Sequence, residues 1–347
     1  LADRTVTIKS SGGDYSSLNA ALAGEVVSYA DLVTNEMILT FECWNFEDTT
    51  KAYTGAGWTT SASYYLNVIG RAADKTSSNT GKYSTERYRC VVSTSAANSG
   101  IIQNGVNFTR FTDLQVSTDS AEGAIGFWLG GDNTLGGVIA TNCLAYAQRS
   151  NTGNAFGRGT TQSEVAAIYC INCIAVGGWQ YGFYLRGNNA SYGIYTYSCT
   201  AYGCGTGFRA RSDYCYAKNC LSIGCTDAFL ESSAYAVADY CAYDEGGDPG
   251  TNGVDLSGYT DDEIFVDADN ATVLSKDCHL CAGSPAIGTG VDTSGESAPL
   301  NFTTDIDGQT RSDWDIGADE YVAAGGETTT TSTTQSTTTS STESTTS

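Results

Sequence analysis

The chain has 347 residues, with 17 lysines and arginines against 39 aspartates and glutamates, for a formal net charge of −22. A charge of that sign excludes a generic nucleic-acid binder, which needs a basic face, and argues against adsorption to anionic membranes. No run of about 18 apolar residues is present, so no transmembrane helix is expected.

The chain opens at Leu1 without a visible signal peptide, which points to a removed leader or a longer product. Gly12-Gly13-Asp14-Tyr15 leads into a segment from Ser16 to Gly24 that reads as a short amphipathic helix, with serine at its start and glycine at its end. Such a helix would cover the first coil of a repeat structure. Strand-like runs follow from Met37 to Cys43 and from Tyr64 to Ile69. Cys90 and Leu114 then lie 24 residues apart, and Leu114 lies 29 before Cys143, as weak copies of what comes next.

From Cys143 a phrase recurs, with cysteine at 143, 173, 199, 220 and 241, in steps of 30, 26, 21 and 21 residues. Periods in this range signal a solenoid. Five residues before the cysteines lie Val138, Ile168, Ile194, Cys215 and Ala236. Three before lie Ala140, Cys170, Thr196, Ala217 and Ala238, and two after lie Ala145, Ala175, Ala201 and Ser222. The step of two within each half is the strand period. The single step of three between the halves requires a bend, and Asn142, Asn172, Ser198 and Asn219 stand there, mostly asparagines that tolerate a left-handed backbone. A second landmark, Gly126-Phe127, Gly182-Phe183, Gly207-Phe208 and Ala228-Phe229, starts the next face. A 21-residue unit is too short for a βαβ crossover, which needs about 30 residues, so each unit is one coil of a parallel β-helix with its inward residues in ladders.

Beyond the repeats come Phe265-Val266-Asp267, Cys278-His279-Leu280, Ser284-Pro285-Ala286-Ile287, Thr304-Asp305-Ile306-Asp307-Gly308 and Asp315-Ile316-Gly317-Ala318-Asp319-Glu320-Tyr321. With the Gly12-Gly13-Asp14-Tyr15 entry, these residues resemble the opening and closing segments of the pectin-lyase-like right-handed β-helices. The resemblance implies an all-β, right-handed parallel β-helix of about nine or ten coils. It also implies an N-terminal cap over residues 1–30, the β-helix over 31–275 and a capping segment over 276–326. That superfamily holds lyases, hydrolases, tailspikes and adhesins alike, so fold does not imply function.

Residues 327–347 are almost purely Thr and Ser, a composition that builds no core and reads as a stalk or linker open to O-glycosylation, Thr328, Thr329, Thr330 and Thr331 included. Ordering costs about 1–2 kcal/mol per backbone residue, so an ordered tail would need a neighbouring subunit or a glycan coat. N-glycosylation sequons occur at Asn107, Asn189, Asn270 and Asn301.

Candidate chemistry is sparse. The single histidine, His279, has no triad motif beside it and reads as structural. Cys170/Cys173 and Cys278/Cys281 have C-x-x-C spacing, but zinc usually takes four ligands and no second pair is near either of them. The run from Asp305 to Gly308 starts like a calcium loop but lacks the later ligands. No metal and no cofactor is expected. The thirteen cysteines read as small buried hydrophobes, with Cys204 and Cys225 the best disulfide candidates between stacked coils. Arg186 and Arg211 lie three residues after their Gly-Phe landmarks, and with Tyr181, Tyr184 and Tyr214 they make a candidate sugar-contacting face. No aspartate cluster accompanies them. The expectation is a non-catalytic extracellular or cell- or virion-surface protein, a self-assembling subunit of an appendage or fibril held through its tail. The alternative is a carbohydrate-active or carbohydrate-binding protein, such as a polysaccharide lyase or a tailspike-like adhesin.

Overall fold

A computed structural model describes residues 2–55, 57–73, 79–93, 99–130, 137–158, 167–186, 193–210, 214–231, 237–247 and 250–323. The chain is an all-β, β-helix-like solenoid of long parallel sheets. One sheet runs through nine strands, beginning Arg4–Ile8, Leu39–Cys43, Leu66–Gly70 and Thr109–Thr112. It continues through Val138–Thr141, Ile168–Ile171, Ile194–Tyr197, Cys215–Lys218 and Val237–Asp239, every neighbouring pair parallel. A second, fourteen-stranded sheet takes both the runs after the cysteines and the runs that carry the phenylalanines. In two coils these runs merge into single strands, Leu144–Arg158 and Ile174–Leu185.

The bend lies where the alternation slips. Asp113, Asn142, Asn172, Ser198, Asn219 and Tyr240 all have φ between 48° and 56°. Cys143, Cys173, Cys199, Cys220 and Cys241 follow the last five of these and are fully buried. Residues just beyond them are in register, Leu144 with Ile174, Ile174 with Thr200, Thr200 with Leu221 and Leu221 with Ala242. Each thiol donates to a carbonyl near the bend. Cys199 Sγ reaches Tyr197 O and, one coil back, Cys170 O, both at 3.4 Å. Cys220 reaches Thr196 O at 3.1 Å and Lys218 O at 3.5 Å. Cysteine recurs because it fills a narrow corner and also offers a weak donor to carbonyls that the bend turns inward. A second bend repeats the device: left-handed Gly203 and Gly224 precede Cys204 and Cys225. Their thiols approach Tyr202 O at 3.7 Å and Ile223 O at 3.6 Å. None of the thirteen cysteines is in a disulfide, Cys204 and Cys225 included.

The aromatic landmark is a stack. Phe127, Phe156, Phe183, Phe208 and Phe229 are buried, with successive ring centroids 5.0, 4.9, 4.8 and 5.0 Å apart and nearly parallel planes. Phe156, in Ala155-Phe156, completes a column that the Gly-Phe pattern alone leaves broken.

Two local expectations need correction. The first helix runs Leu18–Tyr29, five residues past the expected stop at Gly24. Gly24 is a packing residue: a Cβ there would meet Tyr15 Oη at 2.5 Å. The extra turns bring Glu25, 4% exposed, onto Arg4 at 2.8 Å and under the Tyr15 hydroxyl at 3.1 Å. Cys90 is not the predecessor of Leu114. It pairs with Val116, two positions beyond Leu114, after the long connection from Gly70 to Arg89.

Asp113, 2% exposed, occupies the bend position before Leu114 and accepts the Asn79 N–H at 3.3 Å. Burial pushes its carboxyl up to about 7, against the pull of Asn142 and Asn79. An unfolded aspartate releases its proton near pH 3.9. The folded chain therefore holds the extra proton between about pH 4 and pH 7, and this group's contribution to stability is lost as pH rises through that window and is flat above it. Asp113→Asn, which keeps a left-handed-tolerant side chain, is expected to flatten that slope. Superimposable profiles of unfolding free energy for the two proteins over pH 4–8 would contradict the assignment.

From Leu256 onward the chain runs back over the outside of the solenoid. Ile264, Phe265, Cys278, Leu280, Ile306 and Ile316 pack against outward Tyr146, Ile174, Val176, Tyr202 and Leu221 in a second apolar cluster. The segment is fastened to the bend column. Asn172 donates to Thr304 O at 2.7 Å, and Asn219 exchanges hydrogen bonds with the Val291 backbone at 2.8 and 2.9 Å. Leu300 covers Ile171 and Tyr197 beside the outward stack of Tyr169, Tyr195 and Tyr216. Residues 276–321 thus form a strap along the flank, over the middle coils.

Candidate functional site

Three outward features carry chemistry. The first is the expected sugar face. Tyr181 and Tyr184 project from Ile174–Leu185 with ring centroids 5.3 Å apart. The arginine brought to them is Arg209. It stands opposite Tyr184 in the next strand, places its guanidinium 4.7 Å from the Tyr181 ring centre and donates to the Tyr181 hydroxyl. Arg186 follows the same strand and Tyr214, with φ 67°, opens the next coil. Both already hold interactions within the protein. Arg211 lies outside the described residues, as do Asn189 and the tail from 324 on, with Thr328, Thr329, Thr330 and Thr331. Of the other sequon asparagines, Asn301 is exposed, whereas Asn107 is partly buried. Asn270 is engaged with Asp267 at 2.9 Å and the Thr272 N–H at 3.0 Å.

The second is a trough of about 470 Å³ crossing four coils. Gly178, Gly203, Gly205, Gly224, Asn151 and Gln180 are among the residues that line it. It exists because the second bend needs left-handed backbone at Gly203 and Gly224, so no side chains fill the outside of those corners. Its lining carries no charged side chain.

The third is an ionic clasp in the strap, where sequence reading saw only separate residues. Arg311 is 5% exposed. It donates to Gly317 O at 3.0 Å, Ala318 O at 2.9 Å and Asn172 Oδ1 at 3.1 Å, and lies 3.6 Å from Glu320. Glu320 in turn accepts from the N–H groups of Ser312, Asp313 and Asp315 at 2.7 to 3.1 Å. Asp305, the expected start of a calcium loop, spends its oxygens on the N–H groups of Asp307, Gln309 and Glu320. Burial, with Asp319 and Asp307 adding to it, raises its carboxyl to about 7. Burial likewise raises Asp315 to about 6. Alongside, His279 Nδ1 contacts Asp277, which is tied to Lys82 at 2.9 Å, and Nε2 faces Asp307 at 3.1 Å. Burial alone would lower the imidazole pKa, but the bonds to Asp277 and Asp307 prevail and hold it at about 11. The clasp joins the 79–88 region, the Asp277–Leu280 strand and the 305–320 loops, segments far apart in sequence.

No protein-family model matches the chain, and no curated protein is significantly similar to it. Among the described residues no helix is long and apolar enough to cross a membrane.

Proposed function

We propose that this protein is a non-catalytic structural module of an extracellular or surface assembly, a subunit of an appendage or fibril joined to its neighbours through residues 327–347. On this reading it is a right-handed, pectin-lyase-like β-helix of about nine or ten coils. Residues 1–30 are its N-terminal cap, 31–275 the β-helix and 276–326 its C-terminal capping segment. The observation that carries the proposal is where the described strap ends. The Tyr321 N–H donates to Asp315 at 2.6 Å within a segment anchored on Asn172 and Asn219, so the last described residues sit on the flank of the laddered body. On this reading the Thr/Ser segment that follows lies along a neighbouring copy. Sedimentation of the full chain against residues 1–326 tests this. The full chain is expected to assemble and the truncated chain to stay a folded monomer. Equal assembly by both would sink the proposal.

A second reading, carbohydrate binding, is favoured by the trough and by the Tyr181–Tyr184–Arg209 group. The uncharged lining suits holding a neutral glycan better than the proton abstraction that a lyase performs.

A further inference from the structure

We propose that His279, Asp307 and Asp319 form a binding site for one divalent transition-metal ion of the zinc type, which staples the C-terminal strap to the solenoid. One ligand atom from each of the three side chains lies within 4.8 Å of the other two. Bonds of about 2.0–2.2 Å to a tetrahedral ion separate its ligands by about 3.4 Å. His279 Nε2 and the Asp307 carboxylate, at 3.1 Å, already stand near that edge length. A modest inward shift of Asp319 completes one face, and water takes the fourth position.

Independent features support the site. Metal-bound histidines almost always engage a carboxylate or carbonyl through the other ring nitrogen, which fixes the tautomer and aims the ligand atom. Here Asp277 does this at Nδ1, accepts the His279 N–H at 3.2 Å, and is itself held by Lys82. The two ligand carboxylates also have partners that orient them. Asp319 accepts the Leu280 N–H at 2.7 Å, and Asp307 accepts from Gln309 at 3.3 Å. Gly81, with φ +60°, packs its backbone against the imidazole and helps hold the ring in place: a Cβ there would sit 2.5 Å from Nε2. His279 and Asp307 keep 19% and 18% of their side-chain surface, enough for entry, while Asp319 is buried.

One nitrogen with two carboxylates suits a borderline ion. Calcium, which takes six to eight oxygens, finds too few here, and Asp305 is already occupied by three backbone N–H groups. On binding, the ion takes the place of the Nε2 proton, which leaves to solvent.

The full-length chain, stripped with a chelator and titrated with Zn²⁺ by calorimetry, is expected to bind one ion. Its melting temperature should rise with zinc and fall again with chelator. His279→Gln and Asp319→Asn should each weaken binding at least tenfold. Should either fail to fold by circular dichroism, Asp307→Asn decides. Thirteen cysteines make thiolate binding the competing outcome, and Co²⁺ separates the two: a spectrum without sulfur charge-transfer bands, unchanged in Cys281→Ser, is expected. No stoichiometric binding, binding indifferent to the His279 and Asp319 variants, or a sulfur-type cobalt spectrum would each overturn the proposal.

Discussion

Replacing Arg311 with methionine is expected to release the strap while leaving the solenoid folded. The guanidinium has no exposed side-chain surface and organises the carbonyls of Gly317 and Ala318, the Asn172 side chain and the Glu320 carboxylate. Methionine fills much of the volume and none of that role. It leaves Glu320 buried beside Asp305 and Asp315, whose carboxyls burial already raises. Removing one partner of a buried ion pair costs about 3–5 kcal/mol, because the remaining charge stays in a poor solvent. The strap is attached to the ladders by its apolar cluster, by the Asn172 and Asn219 bends and by Thr200, and the loss at Arg311 is expected to fall first on the strap that Arg311 organises. Hydrogen exchange is the check. Protection should collapse over residues 285–321 and persist around Phe183 and Phe208. Unchanged protection of the strap would refute the role given to Arg311.

The cysteine column offers an effect of similar size inside the solenoid. Cys199→Asp places a carboxylate between Cys173 and Cys220, where every neighbour is buried and no cation is at hand. Neutralising or hydrating it there is expected to cost several kcal/mol and to prevent folding at ambient temperature. A graded series separates packing from hydrogen bonding. Cys199→Ser keeps a donor for Tyr197 O and Cys170 O and should be mild, whereas Cys199→Ala loses both bonds and leaves a small void, at about 1 kcal/mol. Urea midpoints in the order wild type, Ser, Ala, Asp are expected. An aspartate variant as stable as the alanine variant would show that the column is open to water.

What could be read from the sequence was the part governed by short-range periodicity. The slip from a step of two to a step of three around Cys143, Cys173, Cys199 and Cys220 locates a left-handed bend, and the backbone turns at Asn142, Asn172, Ser198 and Asn219. Where a coil carries an insertion, that logic fails. After the long connection between Gly70 and Arg89, Cys90 stands two positions out against Leu114, and counting alone cannot see it. Gly24 reads as a stop signal, but its reason for being small is the Tyr15 ring pressed against it. Phe156 escapes a Gly-Phe pattern because alanine, not glycine, precedes it; Ala228-Phe229 is the sign that the glycine is optional. The His279, Asp307 and Asp319 group was least legible. Its members lie 28 and 12 residues apart on irregular backbone, so no period connects them, and only the folding of the strap over the flank brings them together.

The central claim is that this solenoid is a building unit and that its Thr/Ser segment makes the joint. Electron microscopy of the native material at a resolution that traces the chain tests it most directly. The account predicts filaments in which laddered solenoids repeat at a fixed spacing, with density for residues 327–347 running along the adjacent copy. Dispersed single particles, or filaments whose contacts leave that segment untouched, would contradict it.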